Sequence, residues 1–204
     1  MSILIIRHGE TAWNASRKVQ FPCTPLSERG KAQALRLGRH LASRPIRLIL
    51  CSDYARARMT AEPLRHNTGA PLRYTPLLRE RNFGIHRGTF FEEHETNIFA
   101  DDYHPPGGES VTELHARVAT AWEEVVQSAS GVEGDVAVVS HALVCRSMLQ
   151  EVLGLVAGGE QGPVRWPNTG YTVLDGPPWS LEILAGADHL EDSGVADANH
   201  PAGI

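Results

Sequence analysis

Three short apolar runs constrain the fold of this chain most: residues 3–6 (ILII), 46–51 (IRLILC) and 135–139 (DVAVV). Each is β-branched or leucine-rich and has no polar face to offer water, so each belongs to a strand covered on both sides. Between them the apolar period is helical. Residues 26–42 open with Ser27 as an N-cap and place Ala34, Leu37 and Leu41 on one face. Residues 110–128 begin with "SVTE", a capping box, and repeat Val111, Leu114, Val118, Trp122 and Val125 at three- and four-residue steps. A further helix is expected over 143–153, closed by Gly154. Late strands are expected at 171–174 (YTVL) and 180–184 (SLEIL), separated by a "DGPP" turn. Strands alternating with helices predict an α/β three-layer sandwich, a mostly parallel central sheet flanked by helices, with antiparallel exceptions near the end.

A length of 204 residues with 42% hydrophobic content suits one domain, expected over residues 1–190. The small, acidic tail at 191–204 is expected to fray. Residues 81–109 fit neither strand nor helix, and loops of that length in compact domains are often functional. The net charge of −5 argues against a general nucleic-acid binder, so an anionic ligand needs a local cluster of cations. Cys23, Cys51 and Cys145 are odd in number and widely spaced, which fits neither a disulfide framework nor a zinc site. Arg7 interrupts the first apolar run before it could serve as a secretory signal, and no stretch approaches the roughly 20 apolar residues of a membrane span. The chain therefore reads as a reduced, cytoplasmic protein. A homodimer would be an ordinary assembly for it.

In an open α/β sheet, ligands bind beyond the carboxyl ends of the strands. Here the first strand ends in Arg7-His8, the second in "CSDYARAR" (51–58) and the third in "VVSHAL" (138–143). Glu80 emerges nearby from "LLRERNFG" (77–84). Two imidazoles and two guanidiniums can surround a phosphoryl group, whose charge spreads over its equatorial oxygens, without calling for a metal or a cofactor. One histidine can act as nucleophile, and a carboxylic acid is then needed to protonate the departing alkoxide and later to activate water. Glu80 fits that role, although Glu28, Glu62 and Glu109 compete for it on residue type alone. Arg56 and Arg58 lie two apart and cannot share a helix face, so one of them should enter the site. Among the ten histidines, His86, His94, His104 and His115 show no paired metal-ligand spacing.

These blocks resemble the histidine phosphatase superfamily, the group that includes the cofactor-dependent phosphoglycerate mutases. "RHGETAWN" is similar to its signature, "CSDYARARMTA" to its second arginine block, "LLRERNFG" to its acid block, "PPGGES" (105–110) to its substrate loop and "VVSHALVCR" (138–146) to its second histidine block. The matches run in family order over about residues 1–190. The resemblance implies a phosphoglycerate mutase-like fold with His8 as nucleophile and Arg7 and Arg56 on the phosphoryl oxygens. It implies that His141 supports the transferring group and that Glu80 donates and accepts the proton. Asn14 and Gln20 align with pocket positions, and Arg81 and Ala142 join the expected substrate contacts. The register "SDxxRA" selects Arg56 and leaves Arg58 as a solvated or salt-bridged helix residue.

Two local departures bear on the substrate. The stretch "QFPCTPL" is bulkier than the family pattern, so Phe21 and Pro22 are expected to reshape the pocket entrance. His86 and Arg87 stand where many family phosphatases carry a second acid, and Arg87 is expected to meet a second anionic group of the substrate. The chain also lacks the arginine-rich insertion of the mutases. The expected activity is thus metal-independent hydrolysis of a small phosphomonoester through a phosphohistidine. Mutase-type phosphoryl transfer and a non-catalytic phospho-ligand binding module are the alternatives.

Overall fold

The computed structural model describes residues 1–155 and 166–191. A six-stranded sheet has the order β3-β2-β4-β1-β5-β6, with β1 at Ser2–Arg7, β2 at Ile46–Ser52, β3 at Leu72–Thr75, β4 at Asp135–Ser140, β5 at Tyr171–Asp175 and β6 at Ser180–Gly186. The first four are parallel to one another. β5 runs antiparallel to β1, and β6 antiparallel to β5, so the late strands are the exceptions the sequence predicts.

Every residue of β1 and β4 is buried, because helices cover both faces and alternate side chains enter separate cores. Ile3, Ile5, Val136 and Val138 pack with Leu114, Val118 and Trp122 of α4 (Val111–Ala129). Leu4, Ile6, Ala137 and Val139 face α2 (Glu28–His40) and α3 (Ala55–Thr68) through Leu37, Ala57, Ala61 and Leu64. This is the three-layer sandwich. α1 (Ala12–Ala15) is a single turn capped by Thr11 just beyond the first strand.

Helix ends follow their capping residues. Ser27 accepts from the Gly30 N–H at the start of α2, and Ser110 and Glu113 form the expected box at α4. The helix expected over 143–153 differs in kind: α5 (Ala142–Ser147) passes into a π turn over Met148–Val152 before Gly154 takes a left-handed φ of 60°. The apolar period is blind to that widening, because it changes the hydrogen-bond ladder and not the buried face. Residues 81–109 hold only two 3₁₀ turns, Gly84–His86 and Phe91–Glu93. Among the described residues, no helix is long and apolar enough to cross a membrane. The expected fraying tail, 191–204, lies outside the described residues except for Glu191.

Candidate active site

The sheet edge expected to carry chemistry does gather the named side chains. Arg7 closes β1, His8 and His141 follow β1 and β4, and Arg56 sits in the first turn of α3 just beyond β2. Arg7 is 1% exposed, Arg56 2%, His8 3% and His141 0%, burial that charged and imidazole side chains accept only with partners. Glu80 reaches the same place from the turn after β3 and is half-buried. Apart from His141, all of the expected site residues line one cavity with about 540 Å³ of empty space, including Asn14, Gln20, Arg81, Arg87 and Ala142. His141 packs against His8, the two rings edge to face with centroids 5.1 Å apart.

The hydrogen bonds of His8 define where its lone pair lies. Its Nδ1–H donates to the Gly9 carbonyl at 2.7 Å, and a carbonyl can only accept, so the lone pair is on Nε2. The Arg56 Nε–H donates to that nitrogen at 3.2 Å. Burial, followed by the charges of Arg56 and Arg7, pushes the His8 pKa well below the usual imidazole range. His8 is therefore a neutral base aimed at two cations.

His141 is held by Ser52, whose Oγ lies 2.8 Å from its Nε2, while its Nδ1 is buried without a hydrogen-bond partner among the described residues. Burial, then Arg56 and His8, lowers its pKa well below the usual range too. Arg56 is lowered to about 10 by burial and stays charged at neutral pH. Its Nη1 donates to the Phe21 carbonyl at 3.1 Å. Arg58 points away, exposed and over the Tyr74 ring at 5.0 Å, in agreement with the register that selected Arg56.

Glu80 is positioned through backbone amides. Its Oε1 accepts from the Arg81 N–H at 2.9 Å, and its Oε2 lies 3.4 Å from the Leu143 N–H at the start of α5. Withdrawal of the carboxyl from water raises its pKa and outweighs these amides and Arg56, which act the other way. Arg117 of α4 steadies the approach by donating to the carbonyls of Leu77 and Arg79 at 2.7 and 2.9 Å and pairing with both Glu109 oxygens.

The outer contacts divide. Asn14 and Gln20 have their amide oxygens within 3.0 Å of the Thr11 hydroxyl, which leaves their amide nitrogens as the other hydrogen-bonding ends. Arg81 lines the cavity, yet its guanidinium donates to the carbonyls of Glu109 and Tyr103 and so ties down the 103–109 loop. Arg87 has one weaker contact, to the Tyr54 hydroxyl at 3.3 Å. Phe21 departs from expectation. Its ring packs edge-on against Trp13, 41% exposed and outside the cavity wall, while Pro22 lines the wider groove beyond Tyr54 and Arg87.

Several contributors escape the sequence reading. The Arg7 guanidinium donates to the Trp166 carbonyl, and the His8 carbonyl accepts from Asn168 Nδ2 at 3.0 Å and the Thr169 N–H at 3.2 Å. Thr169 holds φ at 59°, an uncommon conformation for a β-branched residue. Gly9 has a role of its own. A Cβ there would stand 2.7 Å from the Gly30 carbonyl, so the glycine admits the backbone of α2, while its N–H donates to Thr60 Oγ1.

A doubly covered α/β sheet with two neutral imidazoles and two guanidiniums at one edge defines a protein built to handle a phosphoryl-sized anion. The chain matches the histidine phosphatase superfamily (branch 1) over residues 3–187, and it belongs to that family. A probable phosphoglycerate mutase GpmB of Citrobacter koseri is 30% identical, the match covering 94% of this chain and 95% of the relative. Bacillus stearothermophilus YhfR superposes with a TM-score of 0.81 at 26% identity, covering 93% of this chain and 99% of its own. A mycobacterial glucosyl-3-phosphoglycerate phosphatase solved with VO3 gives 0.73 at 27% identity, over 90% and 98% of the two chains. The fold is phosphoglycerate mutase-like.

Proposed function

We propose that this protein hydrolyses small phosphomonoesters through a phosphohistidine at His8. The observation that carries the reading is the pairing, across one cavity, of a neutral imidazole whose lone pair lies on Nε2, beside the Arg56 guanidinium, and a carboxyl whose pKa is raised by burial. In the first step His8 Nε2 forms a bond to phosphorus as the ester P–O bond breaks, and Glu80 passes its proton to the departing oxygen. In the second, water attacks phosphorus, its proton goes to the Glu80 carboxylate, and the P–N bond breaks to release phosphate and His8. Arg7 and Arg56 hold the equatorial oxygens, and a phosphoryl oxygen beside His8 would give the buried His141 Nδ1 its missing partner. Arg87, whose guanidinium is held through the Tyr54 hydroxyl among the described residues, stands where it can meet a second anionic group at the cavity mouth.

The mycobacterial neighbour named as a phosphatase supports hydrolysis. The relatives named as probable phosphoglycerate mutases favour a second reading, in which a bound hydroxyl takes the place of water. Phosphate release from a panel of phosphomonoesters in EDTA, for wild type and His8→Ala, tests the first. Turnover in wild type that vanishes in the variant is expected. Isomerisation of phosphoglycerates only with a bisphosphorylated primer, and no phosphate release, would replace hydrolysis with the mutase reading.

A further inference from the structure

Beyond the phosphoryl end, the cavity changes character. Phe83, Phe91 and Phe99 also line it, together with Val19. The rings interlock edge to face, Phe83 against Phe99 at 5.2 Å and Phe91 against Phe99 at 4.9 Å. Phe91 and Phe99 are only half-buried although they pack against the main core, so part of each ring is left to the cavity.

Two of the cations that line the cavity are already engaged, while Arg87 stands at its mouth. Arg81 serves two backbone carbonyls and lies over the Phe83 ring at 5.3 Å, and Lys18 lies over the Phe90 ring at 4.1 Å. A polyhydroxylated leaving group placed against these rings would give up water without gaining hydrogen-bond partners from them, a loss that an apolar group does not suffer. A cavity with one polar end and one aromatic wall is the form that takes a ligand polar at one end only.

We propose that the preferred substrates are phosphomonoesters of apolar, preferably aromatic, alcohols, the phosphoryl group at His8 and the hydrocarbon against Phe83, Phe91 and Phe99. This rests on the hydrolytic reading above and specifies its substrate class. The test compares kcat/KM for 2-phenylethyl phosphate and glycerol 1-phosphate, two esters of primary alcohols, with His8→Ala as the blank. A preference of about tenfold or more for the phenyl ester is expected, the discrimination a well-fitted apolar pocket provides. Phe99→Gln should narrow the ratio several-fold and Phe99→Leu should largely restore it. Phe91→Gln reads the same wall if the first variant does not fold. Equal efficiencies in wild type, or a ratio untouched in folded Phe99→Gln, would overturn the proposal while leaving hydrolysis standing. Absence of His8-dependent turnover of either ester would overturn both.

Discussion

The two sides of the cavity are built on different principles. On one side, Arg7, His8, Arg56 and His141 lie on or next to strand ends and are fastened by buried partners: Gly9, Trp166 and Ser52. On the other, residues 81–109 contribute Arg81, Phe83, Arg87, Phe91 and Phe99 from a stretch with almost no regular structure, held by side-chain contacts to its own carbonyls and by backbone bonds to residues 17–19. The difference separates tasks. A reacting group must sit within a fraction of an ångström of its target, which a sheet edge provides, whereas a leaving group needs only a surface of the right chemistry, which a loop can exchange without disturbing the sheet.

Glu80 stands at the seam between the two and offers the sharpest way to break the comparison. Glu80→Gln should lower kcat/KM for alkyl phosphates by roughly 10²–10⁴, similarly for every alkyl ester, if the carboxyl belongs functionally with the rigid side. A loss confined to one substrate would assign it to the loop. The pH profile sharpens the same point. Because the Glu80 pKa is raised, its protonated form persists upward in pH, and kcat/KM should fall only as pH rises through that raised value. Because the His8 pKa is lowered, the acid limb should lie well below pH ~6.5, the ordinary imidazole value. The basic limb should be absent in Glu80→Gln, and its survival there would identify another acid.

Arg87→Ala should act on the loop side alone, raising KM for an ester that carries a second anion, such as 3-phosphoglycerate, by about tenfold at unchanged kcat, the loss of one charge-assisted contact. An unchanged KM would return Arg87 to a purely structural role beside Tyr54. The smallest effect concerns stability. His8, His141 and His189 are buried with lowered pKa values, His189 at about 4, whereas the unfolded imidazoles titrate near pH ~6.5. Below that value the unfolded chain binds more protons, so stability is complete above it and is lost as pH falls toward about 4. Urea unfolding at pH 7.5, 6 and 5 reads this loss, and a flat series would show that these rings do not remain neutral in the folded protein.

The side chains gathered at the sheet edge were legible because each follows a short apolar run, and parallel strand ends share an edge whatever the intervening chain does. Arg56 was separable from Arg58 by helix geometry together with the family register, and the structure buries the first and exposes the second. The supports were illegible for the opposite reason. Trp166 and Asn168 meet Arg7 and His8 across about 160 residues, through a backbone carbonyl and a side-chain amide that leave no periodic trace. Ser52 stood in plain view within "CSD", but a buried serine beside a strand end is unremarkable until His141 is placed opposite it. Phe21 misled because its bulk was apparent and its direction was not.

The grip of Asn168, Thr169 and Trp166 on Arg7 and His8 also sets an order of assembly. A chain emerging from the ribosome displays His8 almost at once, and with His141, just after β4, it has delivered every side chain of the proposed phosphoryl site. It still lacks the carbonyl that holds Arg7 and the two donors that hold His8, both encoded just before β5. His8, the proposed nucleophile, is thus among the first residues made and among the last to be seated, so the nascent chain carries the side chains of the site well before their supports arrive.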